Sequence, residues 1–427
     1  MRRLRLWLLL AFLLLPMVWP MPVLAAEPIR LLASEAHNEF PQRVAFDLKV
    51  EGDAEITSAT FYYHIGDSPV LTYARPEFSP GRQATVEYVI KGQQDYLPPG
   101  AEINYYWQVE DAAGHELKTE PATLVLDDVR FQWKEIAAGK IVLRWYKGDE
   151  EFARDLLKAG TEALDKLSTD AGVQVEKPVK ILIYGSQQDL LGALEPKAQE
   201  WTGGRSFSEL GIILIAGDTT DSGRAFARRA VPHELSHVVI HQATENPYGD
   251  IPHWLDEGLA MRAEGTVEPM YSAALQRAIR DHKLISLQSL GSNFPADTSL
   301  AALSYAESES VVQFIVDRYG PEKMARLLAV FREGSTYDDA TKQALGLSIN
   351  ELDAAWRKSL GVEDSPAPAP VVDTGSAVSG VATYVPAGPS VGATAPLSLP
   401  IPVADLWVPL LIVIGGGAVL VRLRARR

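Results

Sequence analysis

Val231-Pro232-His233-Glu234-Leu235-Ser236-His237-Val238-Val239 is the stretch on which the fold of this chain turns. His233 and His237 stand at i and i+4, so on a helix they project from one face, a turn apart. Two neutral imidazoles so related can hold one zinc ion. Glu234 follows the first of them, close to such an ion but angled away from it. There it takes a proton from a zinc-activated water instead of coordinating. Val231, Leu235, Val238 and Val239 supply an apolar stripe that packs the helix. The plain alternative is a helix with two ordinary histidines, in a chain that has only eight of them.

Downstream, Pro252-His253-Trp254-Leu255-Asp256-Glu257-Gly258-Leu259-Ala260 places Glu257 20 residues after His237. That distance lets the first helix end near Asn246-Pro247-Tyr248-Gly249, turn, and return as a second helix beside the metal. Two histidines and one glutamate leave the fourth zinc position for water, as a catalytic site requires. His241 extends the i, i+4 series but lies about 12 Å along the axis from His233. It is too far away to share the ion and reads as structural. His253, one turn before Glu257, is open to a substrate-side role or a supporting one.

Around these motifs the texture is that of an α+β domain. Ile141–Tyr146, Val179–Tyr184 and Ile212–Ile215 read as strands, 150–168 as a helix, and nearly everything from 224 to about 360 as helix. Gly203-Gly204-Arg205 reads as a loop, because no Walker-type lysine and hydroxyl follow it. Upstream, from Ile29 to Asp128, short alternating runs such as Arg43–Leu48, Ala59–His64, Thr85–Ile90 and Ile103–Val109 predict an antiparallel β-sandwich. It is similar in style to immunoglobulin-like or fibronectin-like modules.

The ends set an expected compartment. Met1-Arg2-Arg3-Leu4-Arg5, the apolar run Leu6–Val18 and Ala25-Ala26 have the order of a secretory signal peptide over 1–26. An uncleaved anchor is the alternative. Residues 363–400 are rich in Pro, Ala and Ser and read as an extended stalk. The run 401–421 is long enough for a transmembrane helix, and the basic tail 422–427 places its end in the cytoplasm. The expected organisation is therefore signal peptide 1–26, β-sandwich 27–128, α+β domain 129–362, stalk 363–400, membrane helix 401–421 and cytoplasmic tail 422–427. It describes a single-pass protein of the cell membrane with its N-terminal region outside.

Composition narrows the classes. With no cysteine among 427 residues, disulfides, thiolate metal sites and cysteine nucleophiles are excluded. A net charge of −15 repels phosphate backbones and argues against nucleic-acid binding. The oligomeric state is not written in these features.

The paired motifs resemble the gluzincin clan of metallopeptidases, which includes thermolysin and the zinc aminopeptidases. The Trp254–Ala260 block is similar to the second-helix block of the aminopeptidases. The run from about 131 to 360 looks like the peptidase MA-like domain of bacterial surface and secreted proteins. This resemblance implies a zincin-like fold and one Zn(2+) on His233, His237 and Glu257. It implies Glu234 as general base, a peptide or protein as substrate, and Ile212–Ile215 as the edge strand on which a peptide pairs. It also implies a hydroxyl donor for the oxyanion, for which Tyr305 is the candidate, with a core tyrosine as the alternative. The pattern departs from the clan in two places. There is no GAMEN-like segment, and Met261 stands where thermolysin has a carboxylate four residues after its glutamate ligand. The expected activity is that of a membrane-anchored extracellular zinc metallopeptidase. The competing reading is a catalytically silent surface binding or scaffold protein that retains the metal site.

Overall fold

The computed structural model describes residues 27–92, 95–195, 198, 203–295 and 297–362, with the short pieces 383–384, 413–414 and 417–418. The chain opens with seven strands, β1 Ile29–Glu39, β2 Arg43–Ile65, β3 Thr72–Ala74, β4 Gly81–Lys91, β5 Glu102–Asp111, β6 Glu116–Lys118 and β7 Ala122–Val125. All pair antiparallel in one sheet. What reads in the sequence as two strands, 43–48 and 59–64, is the single strand β2. Its first half pairs with β1 and β4, and its second half with β5 and β3. The expected two-sheet sandwich is thus corrected to one curled sheet. The bend falls where register shifts between Glu51 and Ile56. Gly52 permits it, since a Cβ there would meet Ala54 O at 2.7 Å and Ile56 Cδ1 at 2.9 Å. Curling brings Phe46 onto Phe61, with ring centroids 4.7 Å apart, over a core that includes Trp107 and Val109.

A second sheet follows, built of β8 Lys134–Ala138, β9 Ile141–Trp145, β10 Val179–Tyr184, β11 Gly204–Phe207, β12 Ile212–Ala216 and β13 Thr383–Tyr384. Its order is β13-β11-β12-β10-β9-β8. β9, β10 and β12 run parallel, and β8, β11 and β13 pair antiparallel to their neighbours. β10 and β12 are apolar without alternation because both of their faces are buried. Ile181, Ile183, Ile213 and Ile215 belong to the core under the helices. Leu182, Tyr184, Ile212 and Leu214 belong to the core of the N-terminal sheet. Lys180 Nζ reinforces this junction, donating to Gly100 O at 2.9 Å and Glu102 Oε1 at 2.7 Å. Both sheets lie in one compact unit that ends at Pro386, and Ala387–Arg427 forms another.

The helices are α1 Glu150–Ala171, α2 Gln187–Leu191, α3 Asp221–Thr244, α4 His253–Ala263, α5 Pro269–Asp281, α6 Leu287–Leu290, α7 Thr298–Tyr319, α8 Pro321–Arg332, α9 Tyr337–Leu345 and α10 Ile349–Ser359. α3 starts at Thr220, whose hydroxyl accepts from Gly223 N at 3.1 Å. Every residue from Ala230 to Ile240 is buried, between the second sheet on one side and α1, α4 and α8 on others. A helix covered on all sides needs no polar face, which is why this one carries functional polar residues in an apolar setting. α4 returns against α3 and packs on α7.

The membrane expectation is corrected. Among the described residues no helix is long and apolar enough to cross a membrane. Within 401–421 the described pieces, β14 Val413–Ile414 and β15 Gly417–Ala418, pair antiparallel instead of forming helix. Gly415-Gly416-Gly417 interrupts the apolar run, and each glycine in a helix costs about 1 kcal/mol relative to alanine. The single-pass placement at the cell membrane, with an outer N-terminal region and a cytoplasmic tail, falls with that helix. The expected signal peptide 1–26, most of the stalk 363–400 and the tail 422–427 lie outside the described residues.

Candidate active site

α3 and α4 bring the motif residues together. The rings of His233 and His237 stand with centroids 5.0 Å apart on one face of α3. Glu257, on α4, places Oε2 3.4 Å from His233 Nε2 and 3.7 Å from His237 Nε2. One donor atom from each of the three residues lies within 4.8 Å of the others, and all three are buried. His237 Nε2 and Glu257 Oε2 make no hydrogen bond among the described residues. Buried polar atoms without partners are costly, and converging on one point they fit a divalent cation. With two nitrogens and one carboxylate, the donor set suits zinc.

The outward nitrogens of both rings are held by carboxylates in α4 and at its C-terminal end. His233 Nδ1 lies 2.8 Å from Glu264 Oε1, and His237 Nδ1 lies 2.9 Å from Asp256 Oδ2. An ionised carboxylate only accepts, so each Nδ1 carries a proton, and each Nε2 is the atom left to ligate an ion at the centre once it gives up any proton of its own. These two partners were missed in the sequence, where the thermolysin-like position holds Met261. The available signal was helical spacing, because Glu264 falls two turns after Glu257 and Asp256 immediately precedes it.

Electrostatics follow from burial and this crowding. Burial opposes ionisation of Glu257, but the adjacent His237 and His233 outweigh it and hold its carboxyl down to about 2. Burial also opposes a charged His237, yet Asp256 and Glu257 push it up to about 9. His233 is raised as well, by Glu257 and Glu264 acting against burial. Glu234 differs from Glu257. Burial raises its pKa, only partly offset by His237, His233 and a side-chain contact with Ser206.

Tyr305, on α7, is half-buried beside the centre, with its ring centroid 6.4 Å from that of His233 and 5.1 Å from that of Phe294. Burial and the nearby Glu257 raise its pKa well above the ordinary tyrosine value, so it stays protonated and able to donate. His253 reaches Glu257 Oε1 from the other side at 3.6 Å and packs edge-on against Phe294. His241 stands outside the three-residue cluster.

Two glycines make room for this arrangement. A Cβ on Gly258 would lie 2.4 Å from Ser308 O, so the residue after Glu257 must be glycine for α4 to reach α7. A Cβ on Gly204 would lie 2.8 Å from Glu234 Oε1. The expected loop at 203–205 is therefore corrected, since Gly204 opens β11, which passes beside Glu234. The expected edge strand Ile212–Ile215 is corrected too. β12 is flanked on both sides by β10 and β11, and β11 is the strand nearer the margin.

Residues 159–362 match the family model described as Peptidase MA superfamily. No curated protein matches the chain. Among solved structures it is similar to aminopeptidase A of Legionella pneumophila in complex with aspartic acid, at 12% identity over 78% of this chain and 49% of that one, with a TM-score of 0.32. The chain thus spans about half the length of that aminopeptidase. It is similar to an aminopeptidase N family protein from Idiomarina loihiensis at 10% identity, over 74% of this chain and 71% of that one, with a TM-score of 0.33. It is also similar to a carbohydrate-binding module family 56 β-1,3-glucan binding domain at 18% identity, over 22% of this chain and 96% of that one, with a TM-score of 0.15.

Proposed function

From the match of residues 159–362 to the Peptidase MA superfamily model, we propose that this chain is a zinc metallopeptidase that hydrolyses bonds in peptide or protein substrates. The observation that carries the reading is the buried convergence of His233, His237 and Glu257 beside a fourth buried residue, the carboxylate Glu234.

His233, His237 and Glu257 would hold one zinc ion, oriented by Asp256 and Glu264 through the Nδ1 contacts. Zinc in such a site supplies a Lewis acid that polarises a carbonyl and makes water acidic near neutral pH. Glu234 takes the proton from the attacking water and hands it to the departing amine. A carboxyl whose pKa is raised by burial suits both halves of that task. Tyr305 donates its hydroxyl to the carbonyl oxygen as negative charge grows there. β11 orients an extended peptide by main-chain pairing, the strand-addition mode of recognition.

The test is a peptide-library digest by the zinc-loaded full chain, with a chelated sample beside it. Cleavage that chelation abolishes is expected. A zinc-loaded protein that cleaves no member of the library would instead favour the silent scaffold reading.

A further inference from the structure

The margin of the second sheet beyond β11 is taken by this chain itself. β13, Thr383–Tyr384, pairs antiparallel with β11 in the register Gly204↔Tyr384 and Arg205↔Thr383. It also lies against α3. Its register partner Gly204 is the residue whose missing side chain clears Glu234, with 2.8 Å between a would-be Cβ and Oε1. A strand added here therefore runs past the carboxylate on which the proposed chemistry depends.

The sequence of this piece is distinctive in its surroundings. Val381-Ala382-Thr383-Tyr384-Val385 combines β-branched and aromatic residues, which favour extended pairing, and Pro386 then ends the run. Tyr384 is the single aromatic between 363 and 400.

We propose that Thr383–Tyr384 fills the place of an incoming peptide on β11, making this chain's own segment an intramolecular competitor for the site. The proposal rests on the peptidase reading for its consequence, though not for the pairing itself. An intramolecular strand acts at a high effective concentration. It therefore raises the apparent KM for outside peptides and leaves the turnover of those that displace it unchanged.

The experiment uses the full chain and a Thr383→Pro, Tyr384→Pro double variant, which removes the two backbone donors of β13. Hydrogen–deuterium exchange is followed in the segment 203–207, and KM and kcat are measured on a reporter peptide from the library. We expect exchange at 203–207 at least about tenfold faster in the variant, with KM lowered and kcat held. A synthetic peptide spanning Ser379–Pro386, added to the variant, is expected to restore protection. Equal exchange in the two proteins would overturn the docking. Faster exchange with an unchanged KM would overturn the competition. If neither protein cleaves any peptide, the peptidase reading fails while exchange still decides the docking.

Discussion

Asp256 Oδ2 lies 2.9 Å from His237 Nδ1, one residue before the carboxylate that faces the same ring from its other side. α4 thus contributes a candidate ligand and the group that orients a second ligand from adjacent positions.

The first prediction follows from that pair. Asp256→Ala removes the acceptor that fixes the tautomer of His237, and Glu264→Ala does the same for His233. Each variant is expected to bind zinc about 10- to 100-fold more weakly, read by competition with a chromophoric chelator. Affinities equal to the unaltered protein would show that the Nδ1 contacts do not orient the ligands.

Protons and zinc compete for the same nitrogens. In the metal-free protein His237 is pushed up to about 9, with His233 also raised, so below that pH a proton must leave before zinc enters. Affinity should therefore fall as pH is lowered from 9, by about tenfold per pH unit for each proton displaced. The same chelator competition at several pH values reads the slope, and a flat profile between pH 9 and 6 would count against it.

Gly258→Ala puts a methyl group 2.4 Å from Ser308 O and 2.6 Å from Val312 Cγ2. Since one of those atoms is backbone, α4 must move away from α7 and carry Glu257 with it. Denaturant unfolding should show a loss of about 1–3 kcal/mol, accompanied by weaker zinc binding. A fully stable variant with full affinity would mean that α4 has slack at this point.

Leu214 and Ile212 sit on the second sheet yet belong to the core of the first. Leu214→Ala is expected to cost about 2–5 kcal/mol and to lower the unfolding of both regions together. Tryptophan fluorescence and circular dichroism should then report one coincident transition. Separate transitions, with only one of them shifted, would show that the shared core does not couple the regions.

How much of this was legible in the sequence depended on whether the geometry was local. His233, Glu234 and His237 are placed by one helix, so their spacing alone brought them to one face. Glu257 needed only the inference that the chain returns. Asp256 and Glu264 depend on which face α4 presents, which the linear order does not state. β11 was hidden because Gly203-Gly204 has the composition of a loop, whereas Gly204 is small because Glu234 lies beneath it. β2 read as two strands because the bend at Gly52 looks like a turn, although pairing continues on both sides of it. At the C-terminal end, hydropathy predicts a helix over 401–421, while the described pieces are a short β pair.

The most direct measurement is the rate of peptide cleavage by zinc-loaded Glu234→Gln, made on protein whose metal content is determined in the same sample. Glu234 is buried beside the three candidate ligands and is not one of them. The variant should therefore keep one zinc per chain while cleaving about 10²- to 10⁴-fold more slowly than the unaltered protein. Undiminished cleavage by a zinc-replete Glu234→Gln protein would contradict the account.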